Sequence, residues 1–218
     1  MPASSPAAES AALRAYRATK DLILSGEIPP GALLSEGEIA DRLALSRTPV
    51  REAFLLLETE DLLRLVPKRG AVVVPVPPTE AADVLDVRYA LETASARRLR
   101  DPEREITGLL ADLEQLISVQ EALAATSTVS AFAEVDERFH RAIVDAAGNA
   151  LASKFYLTLA DRQRRMTIGA VGRRAAQLGA LVSEHKGLRD HIRDRDADGF
   201  AASLSRHLDS THNIFHAR

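Results

Sequence analysis

The residues best suited to chemistry in this 218-residue sequence are its histidines, and all six lie between His140 and His216. Asp136 and His140 are four residues apart in a helical pattern, which places a carboxylate and an imidazole on one helix face. His185 and His207 fall in two later helical segments. If those helices meet, one carboxylate and three imidazoles converge, which is a usual way for a helical bundle to bind a metal ion.

Such a site would take a divalent ion. Neutral imidazole and carboxylate ligands suit zinc, with nickel, manganese or iron(II) as alternatives. Cysteine is absent, which excludes thiolate ligands, a disulfide framework and a thiol nucleophile. Four protein ligands on an octahedral ion would leave positions for water or a carboxylate-bearing small molecule. The alternative is an exposed Asp136–His140 pair with the other histidines on the surface, and local spacing does not decide between the two.

A second group of residues carries positive charge and could read DNA. Arg47 and Arg51 stand four residues apart at the start of a predicted helix, and Lys68 and Arg69 lie in a predicted turn. Arginine suits bidentate contact with O6 and N7 of guanine, worth about 1–3 kcal/mol of discrimination per contact. The formal net charge of -3 argues against non-specific binding through bulk charge, so the placement of these cations matters more than their number.

A structural interpretation competes with DNA reading, because Arg47 and Arg51 could pair with Glu52 or Glu58 on a solvated helix face. For one arginine alone, that interpretation would be the better one. The conjunction of a capped helix, a turn, a helix with paired arginines, a hairpin with a basic tip and a proline-rich linker favours DNA reading.

The elements that must position these cations are three helices and a hairpin. Helical spacing covers residues 11–25, 35–43 and 46–62, and alternating spacing flanks a turn at 67–70. This order predicts a winged helix-turn-helix, whose third helix enters the major groove. Thr48 and the amino terminus of that helix would contact phosphate, and Gly70 would let the wing backbone approach the minor groove.

The rest of the chain predicts an all-α antiparallel bundle. From Thr79 onward there is no strand signal, and caps and breaks divide the sequence into six helices. These breaks fall at Thr79, Asp101-Pro102, Thr128, Asn149, Gly169–Gly172 and Asp196–Gly199. The predicted organisation of this mainly α protein is a disordered tail over 1–12, a winged helix-turn-helix over 13–75, a linker over 76–79 and a helical effector-binding domain over 80–218.

The composition indicates a folded, soluble protein, with 46% apolar and 27% charged residues. The first ten residues lack the basic and apolar stretches of a signal peptide, and no apolar run approaches the length of a membrane span. We therefore expect a cytoplasmic protein with no membrane partner.

Three segments resemble the amino-terminal domain of GntR-type bacterial transcription regulators. They are GEIPPGALLSE at 26–36, SRTPVREA at 46–53 and PKRG at 67–70. The resemblance implies that Arg47, Thr48, Arg51 and Gly70 occupy DNA-contacting positions. Gly37 stands where some members have an arginine or another polar residue, so operator preference is expected to differ.

The second half resembles the FCD ligand-binding domain of the FadR subfamily of these regulators, over about residues 80–216. The matching pattern is Asp136-x-x-x-His140, Gly148-Asn149, Glu184-His185 and Arg206-His207-Leu208. The resemblance implies that Asp136, His140, His185 and His207 are metal ligands. Six predicted helices instead of seven suggest the shorter, VanR-like form of the domain.

Arg88 matches a family position that can face the ligand cavity, where a guanidinium could hold an effector carboxylate. An ion pair of Arg88 with Asp86 or Glu92 is the alternative. The other three histidines, His191, His212 and His216, fall outside the pattern and are interpreted as surface or structural residues, and Gly148-Asn149 as a helix terminator.

These observations predict a ligand-responsive DNA-binding regulator. A homodimer would place two recognition helices on a palindromic operator, and a small carboxylic acid bound at the metal would relieve repression. One rival is a metal-dependent hydrolase that carries a DNA-binding module. Another is a helical adaptor that binds no metal.

Overall fold

The computed structural model describes residues 9–171 and 178–212. Two compact units divide the chain, one ending at Pro75 and the other beginning at Val76. The described residues form ten helices and one three-stranded antiparallel sheet, which confirms the mainly α fold class. Among the described helices, none combines the length and apolar character needed to cross a membrane. The predictions for His216, for Gly172 and for most of the tail concern residues outside these ranges.

The first unit has the predicted order of elements and one strand more. Its elements are α1 (Ala11–Leu24), β1 (Leu33–Leu34), α2 (Glu36–Leu43), α3 (Arg47–Thr59), β2 (Leu63–Val66) and β3 (Gly70–Val73). Ser10 caps α1 by accepting a hydrogen bond from the Leu13 amide, so residues 11 and 12 are helical and the predicted tail was too long.

Local signals fix the two helices that precede the wing. Ser35 and Glu38 form the predicted capping box, in which each side chain accepts a 3.0 Å hydrogen bond from the other residue's amide. Ala44, at φ 53°, ends α2 in the left-handed conformation and turns the chain into α3. Helix α3 then buries an apolar face that includes Val50 and Phe54 in the core of this unit.

The sheet has the strand order β1-β3-β2, and β1 and β2 both pair antiparallel to β3. The hairpin of β2 and β3 confirms the predicted wing. Strand β1 was not predicted, because two residues are too few to show a period-2 pattern.

The second unit contains seven described helices, so the prediction of six was wrong. They are α4 (Pro78–Leu99), α5 (Thr107–Ala125), α6 (Val129–Ala146), α7 (Ala150–Leu157), α8 (Ala160–Val171), α9 (Leu178–Arg193) and α10 (Ala197–His212). Thr158 and Leu159 separate α7 from α8 without a glycine or proline to mark the break. The suggestion of the shorter, VanR-like form rested on the count of six and loses its basis.

Three other predicted boundaries in this unit differ from the structure. Helix α4 begins at Pro78, because proline is tolerated where a helix amide has no intrahelical partner. Asp101-Pro102 lies in a turn instead of opening a helix. Gly169 lies within α8, so it does not end that helix.

Helix α6 packs mainly against α4, α5, α7 and α8. It buries Phe132, Phe139 and Ile143 in the apolar core of the bundle. Asp136 and His140 are buried on the same helix. These two polar side chains are therefore held inside the bundle, where they need partners.

Candidate nucleic-acid interface and candidate metal centre

The exposed side of α3 carries the predicted DNA-contacting residues. Arg47, Thr48 and Arg51 are all exposed, because the opposite face of α3 is buried in the core. Arg47 and Arg51 border a groove of about 610 Å³ that also involves the start of α2 and the wing. The structure therefore brings Arg47, Arg51 and the wing tip together on one surface.

Within the described part of the chain, the cations of this surface are not neutralised by acidic side chains. Among the described residues, Arg47, Arg51, Lys68 and Arg69 have no ion-pair partner, so the alternative of pairing with glutamate is not observed. The Glu58 carboxylate instead accepts a 2.8 Å hydrogen bond from an amide of β2 and ties the wing to α3. The guanidinium groups thus remain available for phosphate oxygens or base edges.

Gly37 influences the surface through the space that it leaves. A Cβ atom at Gly37 would lie 3.3 Å from Nη2 of Arg47. The missing side chain gives the Arg47 guanidinium room above the start of α2. The glycine at position 37 therefore removes a polar side chain from this surface and also leaves space that the Arg47 guanidinium occupies.

The wing tip depends on two residues with positive φ angles. Lys68, at φ 63°, lies at the turn and is exposed, as is Arg69. Gly70 has φ 109°, and a Cβ atom there would lie 1.9 Å from the carbonyl oxygen of Leu34 in β1. The close packing of β1 and β3 therefore requires a glycine, independently of any contact with DNA.

In the second unit, four buried side chains from three helices converge. Asp136 and His140 come from α6, His185 from α9 and His207 from α10, and one ligand atom of each lies within 4.8 Å of the others. Nε2 of His140 is 3.2 Å from Nε2 of His207, and Nε2 of His185 is 3.3 Å from Oδ1 of Asp136. The structure thus brings together the four residues that spacing and resemblance proposed as metal ligands.

In each imidazole of the cluster, the ring nitrogen that faces away from the cluster, Nδ1, contacts a side-chain oxygen. The Nδ1 atoms lie 2.7–2.8 Å from side-chain oxygens on other helices: His140 from Glu92, His185 from Gln120 and His207 from Glu184. A carboxylate only accepts, so Nδ1 of His140 and of His207 donates. Such partners fix the tautomer and aim Nε2 of each ring into the cluster.

This arrangement fits a cation. With Nδ1 protonated, a neutral imidazole has a lone pair on Nε2, so the lone pairs of His140 and His207 face each other. Nε2 of His185 is buried and has no hydrogen-bond partner among the described residues. A metal ion would convert these repulsive and unpaired nitrogens into ligands, and the imidazole and carboxylate donors suit zinc and its first-row neighbours.

The ionisation of the cluster also suits metal binding. Burial lowers the pKa of His185 to about 4, against the opposing influence of Asp136. Burial likewise lowers the pKa of His140. The pKa of Asp136 is lowered, because the nearby His185 and His140 outweigh its burial, and Thr167 donates a hydrogen bond to Oδ2. At neutral pH His185, His140 and Asp136 therefore have the protonation states that a metal requires.

Arg88 lies inside the bundle, next to the metal cluster. Its Nε donates to Glu92 at 3.1 Å, and Tyr156 donates to the same carboxylate at 2.7 Å. The ion pair with Glu92 is thus present, but Nη2 of Arg88 is buried and has no partner in the described ranges 9–171 and 178–212. Burial alone would raise the pKa of Glu92, yet His140 and Arg88 lower it to about 2, so the pair stays ionised.

Sequence reasoning missed the residues that hold the imidazoles. Glu92 was considered only as a partner of Arg88, and Glu184 only as part of the Glu184-His185 family pattern. Nothing in the local spacing pointed to Gln120. His212 was interpreted as a surface or structural residue. It is half-buried, and burial together with the nearby positive charge of Arg88 lowers its pKa to about 3.

His191 lies outside the metal cluster. Its ring contacts Asp196 and Ser203, at 3.0 Å each, near the start of α10. Gly148, at φ 67°, follows the end of α6, and Asn149 caps α7, as expected for a helix terminator.

Comparison with known protein families gives two matches. The family model described as bacterial regulatory proteins, gntR family, matches residues 11–73. The FCD domain model matches residues 83–210, which is more than half of the chain. The two matches fall in the two compact units.

Individual relatives agree with these matches. The HTH-type transcriptional repressor RspR of Escherichia coli strain K12 is 30% identical over 196 residues, which cover 88% of this chain and 83% of the relative. The gluconate operon transcriptional repressor of Bacillus subtilis strain 168 is 36% identical over 124 residues, which cover 57% of this chain and 50% of the relative. A crystal structure of a putative GntR regulator from Rhodococcus sp. RHA1 has the same fold, with a TM-score of 0.80, 20% identity and coverage of 96% and 100% of the two chains.

Proposed function

Because the chain belongs to the GntR family of bacterial regulatory proteins and carries an FCD domain, we propose that it is a metal-dependent, effector-responsive repressor that acts as a homodimer. The family makes it a DNA-binding transcriptional regulator and not an enzyme. The metal-dependent hydrolase considered from the sequence has no support, since the matched families and relatives are regulators. The residues that bind DNA, metal and effector are part of this proposal and are given below.

The DNA site in this proposal is the surface of α3 and the wing. Arg47 and Arg51 contact base edges, while Thr48, Lys68, Arg69 and Gly70 contact the backbone or the minor groove. The observation that carries this assignment is that the cations are exposed and form no ion pair with any residue that the structure describes. A homodimer would present two such surfaces to the halves of a palindromic operator.

The effector site in this proposal adjoins the metal cluster. Asp136, His140, His185 and His207 would hold the ion, preferably zinc, which supplies positive charge to a ligand carboxylate. Arg88 would bind the same acid, and its unpaired Nη2 is the observation that supports this role. A hydroxy acid of the sugar-acid type is one candidate, because a gluconate operon repressor is among the relatives.

Effector binding would change the affinity for the operator through a coupling free energy of about 1–3 kcal/mol. Release of repression is the expected direction. In this mechanism Glu92 would hold Arg88 and His140 in place through one carboxylate, so the acid and the metal would be sensed at neighbouring positions.

The DNA assignment is tested by measuring affinity for operator DNA by fluorescence anisotropy. We expect Arg51→Ala to weaken specific binding about tenfold to a hundredfold through loss of a base contact. Arg138→Ala, which removes an exposed arginine of the second unit, is the matched control and should bind as the wild type does. Equal binding by Arg51→Ala and wild-type protein would refute the assignment.

The metal and effector assignments are tested by elemental analysis and by thermal-shift screening of gluconate, lactate, citrate and benzoate, with and without chelator. We expect about one metal ion per chain, lost in His140→Ala but retained in His191→Ala. The active acid should raise the melting temperature only when metal is present. A wild-type protein without metal would instead support the helical adaptor.

A further inference from the structure

Helix α3 exposes two neighbouring leucines to which the proposed function gives no role. Leu55 is 48% exposed and Leu56 is 47% exposed, whereas Leu57 is fully buried in the core of the first unit. Single exposed leucines are common on protein surfaces and need no explanation by themselves. The position of each leucine around the helix therefore decides whether it has a function.

Leu55 lies on the helix face that carries the two arginines. Arg47, Arg51 and Leu55 follow one another at intervals of four residues, so successive side chains turn by only about 40° around the helix axis. Leu56 comes one residue after Leu55 and is turned by about another 100°. The two leucines are thus equally exposed but point in different directions.

The surroundings of Leu55 belong to the proposed DNA surface. Leu55 borders the same groove of about 610 Å³ as the two arginines of α3, and Leu56 lies outside it. Residues 65–67 of the wing, two of them apolar and one a proline, border this groove as well. The groove therefore combines apolar side chains with the cations of α3 and of the wing tip.

The chemistry of this surface indicates what Leu55 contacts. The arginines suit phosphate oxygens and the N7 and O6 atoms of guanine, but a leucine side chain has no hydrogen-bonding group. A leucine placed against a donor or acceptor of a base edge would leave that group without a partner. In the major groove, the C5-methyl group of thymine is the apolar feature that a base presents. A thymine methyl group therefore fits Leu55.

Resting on the DNA site of the proposed function, we propose that Leu55 is a specificity-determining residue that contacts the methyl group of a thymine in each half of the operator. Four helical residues correspond to about 6 Å along the axis, and neighbouring base pairs are about 3.4 Å apart. The thymine therefore lies within about two base pairs of the base that Arg51 contacts.

The test starts from a DNA duplex that the full chain selects from a random library. Each thymine of this duplex is replaced in turn by uracil, which keeps the base pair and lacks only the methyl group. We expect one sensitive thymine in each half-site. Each lost methyl contact should raise Kd about threefold, so replacing both thymines should raise it about tenfold. Fluorescence anisotropy at a fixed salt concentration measures Kd.

The variant Leu55→Ala links the sensitive thymine to this side chain. It should bind the thymine duplex about tenfold more weakly than the wild type, and uracil should then change its Kd by less than about twofold. Leu56→Ala removes an equally exposed leucine from outside the groove and is the matched control. It should keep both the wild-type Kd and the wild-type sensitivity to uracil.

A second pair of duplexes places the methyl group on a different base. With cytosine at the sensitive position, 5-methylcytosine should lower the Kd of the wild type about threefold and leave that of Leu55→Ala unchanged. The two duplexes have the same hydrogen-bonding groups, so the difference in Kd reports the methyl contact alone.

A purely structural role of Leu55 gives a different result. If Leu55 only supports the wing, Leu55→Ala weakens binding to every sequence by the same factor and stays as sensitive to uracil as the wild type. That result would overturn the proposed contact. Circular dichroism should show wild-type helicity for both variants, since both leucines are exposed.

The possible results separate this inference from the proposed function. A wild-type chain that selects no DNA sequence would overturn both. A chain that binds its selected duplex but is insensitive to uracil at every thymine would overturn the role of Leu55 and leave the DNA site standing. Sensitivity that is present in the wild type and in Leu56→Ala, and lost in Leu55→Ala, would support both.

Discussion

The three imidazoles of the metal cluster are oriented before any metal binds. His140 and His207 are held by carboxylates, and His185 by the amide oxygen of Gln120. These partners fix the tautomers, and carboxylate partners increase the basicity of the ligand nitrogen. The orientation and tautomer of the imidazoles are therefore already those that metal binding requires.

Sequence reasoning reached the ligands of this cluster but not their partners. Asp136 and His140 share a helix face, and that part follows from spacing alone. Glu92 is 48 residues from His140, and Gln120 is 65 residues from His185. Such contacts depend on how the helices pack, which local periodicity does not encode.

The buried imidazoles predict acid sensitivity of the metal-free protein. In the unfolded chain a histidine takes up a proton as pH falls through about 6.5, whereas folded His185 stays neutral until its pKa of about 4. The unfolded state then binds more protons, so the free energy of unfolding should decrease from about pH 6.5 to about pH 4. The contribution of His185 is about 3 kcal/mol at most, since one pKa unit corresponds to about 1.4 kcal/mol.

Urea unfolding between pH 7 and pH 4, in the presence of chelator, measures this dependence. His185→Gln should flatten the decrease, while His191→Gln, outside the cluster, should keep the wild-type slope. A wild-type free energy of unfolding that stays constant over this range would contradict the assignment of a neutral, buried imidazole.

At the scale of elements, boundaries marked by caps were predictable and those without caps were not. The capping box at Ser35 and the Asn149 cap both appear where the sequence placed them. The break at Thr158 has no glycine or proline, so two helices were predicted as one. Pro78 was assigned to a linker although it opens α4, because proline is compatible with either position.

The wing gives a prediction that separates two effects of glycine. At Gly70, alanine would suffer both from φ 109° and from a clash with the Leu34 carbonyl oxygen. At Gly31, with φ 84°, alanine meets no atom within 4 Å and would suffer only from the backbone angle. We expect Gly31→Ala to cost about 1 kcal/mol and Gly70→Ala at least about 3 kcal/mol.

Hydrogen exchange of the amides in α1, α2 and α3, measured on the full chain, reports the stability of the first unit. The larger loss of protection should occur in Gly70→Ala, along with weaker operator binding. Equal losses in the two variants would show that the close approach of β1 and β3 does not constrain the wing.

At the scale of the whole molecule, the two units have separate apolar cores. All four proposed ligands belong to the second unit. We therefore expect zinc, added to metal-free protein, to raise the protection of amides in α6, α9 and α10 while leaving α1 to α3 unchanged. At a free zinc concentration of 100 times Kd, the gain is about 2.7 kcal/mol.

Hydrogen exchange with and without zinc measures this difference in a single experiment. His140→Ala should lose the effect of zinc, and His191→Ala should retain it. An equal increase in both units would contradict the separation of the cores, and no increase at all would contradict the metal site.

Helix α4 carries the buried Arg88–Glu92 pair on one side and the exposed row from Asp83 to Arg97 on the other. A packed helix moves as a rigid unit. A ligand that displaces its buried side chains therefore also displaces its exposed side. In the proposed regulator, an acid bound beside Arg88 would therefore change the position of surface residues on the opposite side of α4.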